Sequence, residues 1–244
     1  MGDRLDKLLV MQGLVPTRSR ARDLILRGLV SVDGAAVVKP GAAVGAGASI
    51  AVLGPADYVS RGALKLEAAL DAFGFDPSGR VCLDVGASTG GFTEVLLARG
   101  ATKVYAVDVG HGQLHESLRD DTRVINLEGL DARLLGLEHV TAPVQAVVAD
   151  VSFISLEKVL PAALALAAPG AWLTALVKPQ FEAGREAIGK GGIVRDDAVR
   201  EAQAEKIAGW IGGRAGWTVA GVMPSPIEGG SGNQEFLVGA RFDG

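Results

Sequence analysis

The stretch Asp84-Val85-Gly86-Ala87-Ser88-Thr89-Gly90-Gly91 decides the fold of this 244-residue chain. It begins at the end of residues 81–85, a mainly apolar run that predicts a buried strand, and it precedes residues 92–98, which predict a helix. Glycines in such a loop permit left-handed backbone and the close approach of a ligand, and the helix that follows presents free N–H groups. The stretch therefore predicts a strand–loop–helix unit that holds a nucleoside-bearing cofactor.

The spacing of the glycines indicates which cofactor. GxxxGG lacks the central glycine with which the fingerprint GxGxxG approaches a pyrophosphate, so NAD and FAD are disfavoured. S-adenosylmethionine has no phosphate and fits the loop better. A second predicted strand, residues 104–108, ends at Asp108, eighteen residues after Gly90, where a carboxylate can accept both ribose hydroxyls.

Composition excludes several classes of protein. One cysteine, Cys82, rules out a disulfide framework, and with three histidines it leaves little for a zinc site, so we expect no metal and a reduced, cytoplasmic setting. His111 and His115 are expected to have structural roles. Nineteen uncharged residues, 159–177, are long enough to span a bilayer. Prolines and a glycine divide them, however, and favour a helix to residue 168, a turn at 169–170 and a strand at 172–177, with no membrane span.

The two ends of the chain differ in charge. Residues 1–56 carry seven basic and four acidic residues, whereas the remainder carries seventeen basic and twenty-four acidic ones. In the first part, Leu5, Leu8 and Leu9 predict a helix that ends at Gly13, and Thr17 can cap a second helix that runs to Arg27. A hairpin follows around Asp33-Gly34, and residues 41–47 and 50–53 are expected to complete a small sheet.

This pattern of two helices and a hairpin resembles the S4 RNA-binding domain, and "TRSRARDLILRGLVSVDG" (17–34) closely matches the core of that family. The resemblance implies a small α+β domain whose two helices lie against RNA, with basic side chains on phosphates. We expect the RNA contacts to come from five arginines: Arg4, Arg18, Arg20, Arg22 and Arg61. The expected boundaries are 1–56 for this domain, 57–60 for a linker and 61–244 for the second domain.

From Tyr58 onward the predicted strands alternate with helices, which is typical of an α/β protein with a parallel sheet and ligands above the carboxyl ends of its strands. Predicted strands lie at 81–85, 104–107, 124–127, 146–149, 172–177, 218–223 and 235–240; predicted helices lie at 64–73, 92–98, 156–168 and 195–211. Charged residues beside these nearly uncharged strands are candidates for a site, although a structural ion-pair network is an equally common reason for them. Four such residues stand out: Lys65, Asp150, Lys178 and Glu235.

Five segments are similar to the TlyA family, also called hemolysin A, which joins an S4 domain to a Rossmann-like methyltransferase domain related to the FtsJ 2′-O-ribose methyltransferases. They are "SRGALKLEAAL", "LDVGASTGGFTEVLLARGATKVYAVDVGHGQL", "ADVSFISL", "LVKPQFE" and "SGNQEFL". The resemblance implies a catalytic tetrad Lys-Asp-Lys-Glu, which falls on Lys65, Asp150, Lys178 and Glu235. It also implies cofactor contacts from Asp84, Gly86, Ser88, Thr89 and Gly90 at the methionine end, Asp108 at the ribose and Asp131 at the adenine amine.

Methylation of a ribose 2′-hydroxyl needs a base for the hydroxyl proton, and a lysine can serve only while its amine is neutral. We expect Lys178 to act on the hydroxyl, Asp150 to orient it, and Lys65 and Glu235 to position the ribose and balance charge. The other methyl acceptors are disfavoured, because Cys82 lies in a predicted buried strand and Asp150-Val151-Ser152-Phe153 is not an (Asn/Asp)-Pro-Pro-aromatic loop. Phe153 has two open roles: it stacks on an extruded base, or it packs in the core.

The resemblance further implies that the substrate is a cytidine ribose of ribosomal RNA. The chain resembles the shorter members of the family, which modify the large subunit. Two other functions stay open: a membrane-active hemolysin, and a catalytically inactive RNA-binding factor for ribosome assembly. The missing spanning helix disfavours the first, and the intact tetrad disfavours the second.

Overall fold

A computed structural model describes residues 2–53, 58–189, 191–229 and 232–244. The chain divides into two compact units, Met1–Arg61 and Gly62–Gly244. Part of the expected linker, Asp57, and the preceding Gly54 and Pro55 lie outside the described residues. The boundaries expected from the sequence therefore stay a prediction.

The N-terminal unit is a small α+β domain. Its elements are β1 (Asp3–Arg4), α1 (Leu5–Met11), α2 (Arg18–Leu26), β2 (Val30–Val32), β3 (Ala35–Ala36), β4 (Ala43–Val44) and β5 (Ile50–Val52). The second helix begins as expected, because the Thr17 hydroxyl accepts a hydrogen bond from the Arg20 N–H at 3.2 Å. Fully buried leucines and an isoleucine from both helices, among them Leu5, Leu9 and Ile25, form the core.

The strands of this unit form two sheets rather than the single small sheet predicted. β2 pairs with β3 and β5 in antiparallel fashion, and the hairpin turns at Asp33-Gly34, where both residues have positive φ. The prediction that residues 41–47 join this sheet is wrong. Residues 43–44 pair instead with Asp3–Arg4, the strand that leads into the first helix.

The C-terminal unit is an α/β domain built on one seven-stranded sheet. Its elements are α3 (Gly62–Phe73), β6 (Val81–Val85), α4 (Gly91–Ala98), β7 (Lys103–Asp108), α5 (Glu116–Arg119), β8 (Val124–Glu128), a 3₁₀ turn (Ala132–Leu134), β9 (Val144–Ala149), α6 (Leu156–Ala165), β10 (Ala167–Val177), α7 (Pro179–Glu182), a 3₁₀ turn (Arg185–Ala187), α8 (Asp197–Gly212), β11 (Trp217–Pro224) and β12 (Phe236–Phe242). Every predicted strand and helix is present, with ends shifted by a few residues.

The sheet has the strand order β11-β12-β10-β9-β6-β7-β8. Five strands are parallel as predicted, but β12 runs antiparallel to both β10 and β11. The expectation of a wholly parallel sheet is therefore wrong at this edge. Only residues 225–235 join β11 to β12, and a parallel pair needs a crossover of about a dozen residues or more.

A second boundary also differs from the sequence prediction. The helix expected to reach residue 168 ends at Ala165, and the next strand already begins at Ala167. Ala167 pairs with Val144 on β9, and the register shifts before pairing resumes at Trp172. Pro169-Gly170 therefore lies in an irregular strand start rather than in a turn that ends the helix. Among the described residues, no helix has both the length and the apolar character required to cross a bilayer.

Candidate active site

A cavity of about 490 Å³ opens at the carboxyl ends of β6, β7 and β9. Its size is within the range of small-molecule sites, and its position is the one expected for a ligand of a parallel sheet. Several residues singled out from the sequence line it: Gly86, Ser88, Asp108, Asp131, Asp150 and Phe153.

Lys178 and Asp150 form an ion pair at the edge of this cavity. Lys178 Nζ lies 2.6 Å from Asp150 Oδ1 and donates a hydrogen bond to Ser152 Oγ at 2.9 Å. Asp150 follows β9 directly and Lys178 follows β10 directly, and these two strands are parallel neighbours. The sheet therefore brings together two groups that are 28 residues apart in the sequence. Ser152 was not predicted as a partner, although it stands only two residues after Asp150.

Lys65 and Glu235 form a second, more deeply buried pair. The Lys65 ammonium donates a short hydrogen bond to Glu235 Oε2, and only 6% and 3% of the two side chains are exposed. The pairing of β10 with β12 ends at Val177 and Phe236. Lys178 and Glu235 are the next residues along these strands, so both pairs belong to the same edge of the sheet. When all four groups are ionised, their charges cancel in pairs.

Asp84, at the end of β6, is fully buried. Its Oδ2 accepts a hydrogen bond from the Thr93 hydroxyl at 2.7 Å, whereas its Oδ1 has no hydrogen-bond partner within the described ranges. Burial, and to a smaller extent the nearby charge of Asp150, raises the pKa of Asp84 to about 7. An orphaned carboxylate oxygen of this kind is suited to a donor from a ligand.

The glycine loop has the backbone that its sequence predicts. Gly86 has φ +86°, and a Cβ there would lie 2.5 Å from the carbonyl oxygen of Asp150, so the close approach of these two loops requires glycine. Ser88 also has positive φ, 49°, and its N–H donates to Asp108 Oδ2 at 2.8 Å. Gly90 is buried and a Cβ there would collide with Leu118, so it serves packing; it and the exposed Thr89 lie outside the cavity lining.

The two predicted carboxylates at the far end of the cavity already have partners. Asp108 accepts from the N–H groups of Ser88 and Gly110, at 2.8 and 2.7 Å, which fixes its orientation and leaves lone pairs for hydroxyl groups. Both oxygens of Asp131 are held by the Arg133 side chain, with the shortest contact at 2.5 Å. That guanidinium lowers the pKa of Asp131 to about 2. A contact between Asp131 and an adenine amine stays a prediction, and it requires the carboxylate to be shared with Arg133.

Phe153 is not a core residue. Its side chain is 90% exposed, it lines the cavity, and its φ is +65°. Its ring contacts that of Phe181, with centroids 5.0 Å apart. Of the two roles left open by the sequence, core packing is therefore wrong. Glu182, which the sequence reasoning missed, accepts from Ser155 Oγ and Leu156 N, and burial raises its pKa.

In the N-terminal unit, the five arginines predicted to contact RNA are exposed or half-buried, and three of them pair with acids. Arg4 and Arg18 both donate to the buried carboxylate of Asp6 at 3.0 Å, and these bonds, that of Arg4 first, hold the pKa of Asp6 far below its ordinary value. Arg20 pairs with Asp23 at 2.9 Å, and Arg22 is exposed on the same helix. The half-buried Arg61 lies near Gly28.

No cluster of three metal-ligating side chains is present in the part of the chain that the structure describes. His115 caps α5, since its Nδ1 accepts from Ser117 N at 3.3 Å, and His111 lies in the loop before it. These positions agree with the structural roles expected for both histidines.

The glycine loop, the buried carboxylate at the end of its strand and the cavity above the sheet define a Rossmann-like methyltransferase domain, joined to an S4 domain. The family model for FtsJ-like methyltransferases matches residues 58–242, and that for the S4 domain matches residues 3–50. The chain belongs to the TlyA family within these methyltransferases.

Three similar proteins illustrate this membership. The 16S/23S rRNA (cytidine-2′-O)-methyltransferase TlyA of Mycobacterium tuberculosis is 48% identical over 98% of this chain and 89% of its own length. The 23S rRNA (cytidine-2′-O)-methyltransferase TlyA of Campylobacter jejuni is 39% identical over 74% of this chain and 69% of its own. A solved structure from Streptococcus thermophilus that carries the name hemolysin is 42% identical to this chain and superposes with a TM-score of 0.75. The alignment covers 99% of this chain and 88% of the other chain.

Proposed function

We propose that this protein transfers the methyl group of S-adenosylmethionine to the 2′-hydroxyl of a cytidine in ribosomal RNA of the large subunit. The observation that carries the proposal is the Lys178–Asp150 pair, 2.6 Å apart, at the edge of a cavity above the glycine loop. The names of the two bacterial relatives support the reaction and the substrate: that of Mycobacterium tuberculosis specifies 16S and 23S rRNA, and that of Campylobacter jejuni specifies 23S rRNA.

The residues that line the cavity, together with the buried Asp84 of β6, fit S-adenosylmethionine. Asp84 Oδ1 is buried without a donor within the described residues, and the ammonium of the methionine moiety is a donor. Asp108 is held by two backbone N–H groups and can accept ribose hydroxyls. We assign the methionine end to the glycine loop with Asp84, and the nucleoside end to Asp108 and Asp131. When bound, the cofactor supplies an electrophilic methyl group on a sulfonium.

Lys178 is the proposed general base. The 2′-hydroxyl is a poor nucleophile and loses its proton as it attacks; in this proposal Lys178 has first given up a proton to solvent, and the lone pair of its neutral amine accepts the hydroxyl proton at Nζ. Asp150 and Ser152 fix that nitrogen from two sides, and the proton that Nζ receives strengthens its attraction to Asp150. Much of the acceleration comes from holding the two reactants in position, as in other two-substrate sites.

Lys65 and Glu235 are assigned to the ribose side of the site. Their pair is nearly excluded from solvent and belongs to the same sheet edge as Lys178. A rigid pair at this edge can orient the sugar without adding net charge. Phe153 offers an exposed ring in the same cavity, and we propose that it stacks on the cytosine after the base has left its helix.

Ribosomal RNA is the proposed partner of the N-terminal unit, and the cytoplasm, where ribosomes are, is the proposed location. Arg4, Arg18, Arg20, Arg22 and Arg61 are the proposed phosphate contacts. Each phosphate contact that is lost reduces the salt dependence of binding by about one unit of slope. Arg22→Ala and Arg18→Ala should therefore weaken RNA binding and flatten its salt dependence while leaving affinity for S-adenosylmethionine unchanged.

Methyl transfer to purified ribosomal subunits tests the proposal directly. Large and small subunits lacking the modification are incubated separately with the protein and labelled S-adenosylmethionine, and the RNA is digested to nucleosides for mass spectrometry. We expect 2′-O-methylcytidine from the large subunit. Lys178→Ala should lower the single-turnover rate by about 10²- to 10⁴-fold, the usual range for a general base. Ser152→Ala, which removes one neutral hydrogen bond, should cost only a few-fold.

Three results would contradict parts of the proposal. Label on the small subunit alone, or on both subunits, would overturn the choice of subunit and keep the reaction. A labelled base in place of the ribose would overturn the chemistry. Undiminished transfer by Lys178→Ala would overturn the assignment of the base.

A further inference from the structure

A loop and a short helical segment at the edge of the cavity are held together at three successive points. The loop, residues 150–155, follows β9, and the segment, residues 178–182, follows β10 and consists of Lys178 and α7. Lys178 contacts Asp150 and Ser152, the ring of Phe181 lies against that of Phe153, and Glu182 accepts hydrogen bonds from Ser155 and Leu156. Of these three contacts, only that of Lys178 with Asp150 and Ser152 includes the proposed general base.

The backbone of the first loop is strained at its tip. Phe153 has φ +65°, a left-handed conformation that costs a residue with a side chain about 1–2 kcal/mol. Burial does not offset this cost, because the side chain is 90% exposed. Such a conformation persists only where neighbouring contacts determine it. The contacts on either side of Phe153 are those of Lys178 with Ser152 and of Glu182 with Ser155.

Glu182 is well suited to hold the far side of this loop. Its two oxygens accept separately, Oε2 from the Ser155 hydroxyl at 2.5 Å and Oε1 from the Leu156 N–H at 2.9 Å. Leu156 is the first residue of α6, so its N–H has no acceptor within that helix. The carboxylate thus fixes the end of the loop 150–155 to the start of α6 and to the segment that carries Lys178.

We propose that Glu182 is a positioning residue for methyl transfer: its carboxylate clamps the loop 150–155 so that Asp150, Ser152 and Phe153 keep their places beside Lys178. The inference rests on the proposed function of the same site, but Glu182 itself touches neither substrate nor cofactor. Its side chain acts through the loop. A merely structural Glu182, by contrast, would cap α6 and affect only stability.

Four variants separate these roles. Glu182→Ala removes both hydrogen bonds. Glu182→Gln keeps them, since the amide oxygen can accept from Leu156 N and the amide nitrogen can donate to Ser155 Oγ. Glu182→Asp keeps the charge but is one methylene too short, and it replaces the alanine variant should that one fail to fold. Glu157→Ala, in the first turn of the same helix, removes an acid whose side chain pairs with Lys206 and is the matched control.

The rate of single-turnover methylation of large subunits, calorimetric affinity for S-adenosylmethionine and thermal unfolding are measured for each variant. We expect Glu182→Ala and Glu182→Asp to lower the rate about 10- to 100-fold, the effect of misplacing reacting groups by about 1 Å. Cofactor affinity should stay within about twofold. Glu182→Gln should keep the rate within about threefold of the wild-type value, and Glu157→Ala should leave it unchanged.

Hydrogen exchange supplies a readout that is independent of activity. Amides of residues 150–156 should exchange faster in Glu182→Ala than in the wild-type protein, and at the wild-type rate in Glu182→Gln. Unchanged exchange in Glu182→Ala, a wild-type rate of transfer in that variant, or equal losses in the alanine and glutamine variants would each overturn the clamp. If the wild-type protein transfers no methyl group to RNA, the proposed function fails, and exchange alone decides whether the clamp exists.

Discussion

The buried carboxyl of Asp84 makes the stability of the methyltransferase domain depend on pH in an unusual direction. Its pKa rises from the ordinary value of 3.8 to about 7 because folding removes it from water. The folded state therefore binds more protons than the unfolded state between these two pH values. The contribution of Asp84 to the free energy of unfolding is highest below pH 3.8. It falls as the pH rises and reaches a constant lower level above pH 7.

The size of the effect follows from the two pKa values. A difference of about 3, at about 1.36 kcal/mol for each pKa unit, amounts to roughly 4 kcal/mol. Asp84→Asn has the same shape and keeps an oxygen to accept from Thr93, but it carries no charge at any pH. We expect the stability of the variant relative to the wild-type protein to rise by about 3 kcal/mol between pH 4.5 and pH 8.5, because the wild-type protein has already lost about 1 kcal/mol of the total at pH 4.5. Any cost of the buried amide is independent of pH and leaves this difference intact.

Urea unfolding followed by tryptophan fluorescence measures the stability difference between Asp84→Asn and the wild-type protein in the C-terminal unit, which contains Asp84. All three tryptophans, Trp172, Trp210 and Trp217, belong to the C-terminal unit, so the signal is independent of the S4 domain. Asp120→Asn removes an exposed carboxylate and should give a similar curve to the wild-type protein at every pH. A stability difference between Asp84→Asn and wild type that is the same at pH 4.5 and 8.5 would refute the reasoning.

The same variant also tests the cofactor assignment. If Asp84 Oδ1 accepts a hydrogen bond from the ammonium of S-adenosylmethionine, Asp84→Asn should bind the cofactor at least tenfold more weakly. Hydrogen bonds to charged groups contribute about 1.5–3 kcal/mol. The protein would then gain stability and lose affinity through one substitution, as is common at functional sites. Unchanged calorimetric affinity would leave Asp84 with a structural role only.

Further predictions concern other parts of the C-terminal unit. Asp108→Ala should abolish detectable calorimetric binding of S-adenosylmethionine at a protein concentration that saturates for the wild type; retained affinity would exclude the ribose role. Lys65→Met leaves the carboxylate of Glu235 buried without its cation and should cost about 3–5 kcal/mol in urea unfolding, whereas adding Glu235→Leu should recover much of that stability and none of the methyl transfer. Gly90→Ala combines positive φ with a steric collision and should cost about 1–3 kcal/mol. Gly209→Ala, in a helix with open space around its Cβ, should instead stabilise by about 0.5–1 kcal/mol.

The order of elements and part of the site were predictable from the sequence because parallel sheets obey a simple rule. Strands that run in the same direction present their carboxyl ends at one edge, so Asp150 and Lys178, each directly after an apolar run, were expected to meet, and they do. Lys65 and Glu235 were singled out as charged residues beside predicted strands, but their pairing with each other was not predicted. These residues are 170 apart, and no local pattern indicates that a helix before the first strand contacts the end of the last one.

The antiparallel edge of the sheet was missed for a physical reason. An apolar run of residues predicts a buried strand but does not indicate whether it runs parallel or antiparallel to its neighbour. That direction depends on the length of the segment that joins the two strands. The eleven residues before Phe236 are too short for a crossover. Counting them would have predicted the direction of β12, and with it the edge of the sheet at which Glu235 lies.

Phe153 and Glu182 mark the limit of sequence reasoning at this site. A phenylalanine next to an apolar strand is more often buried than exposed, and nothing in the letters of "ADVSFISL" predicts a left-handed backbone at its centre. Glu182 is four residues after Lys178, in a segment whose sequence predicts the start of a helix. An acid in that position commonly interacts with the helix dipole. Only the fold shows that this acid reaches across to Ser155 and Leu156. The strained backbone of Phe153 and the half-buried carboxylate of Glu182 are each unfavourable alone. In the proposed clamp, the hydrogen bonds of Glu182 hold the loop 150–155 and so offset the cost of the conformation at Phe153.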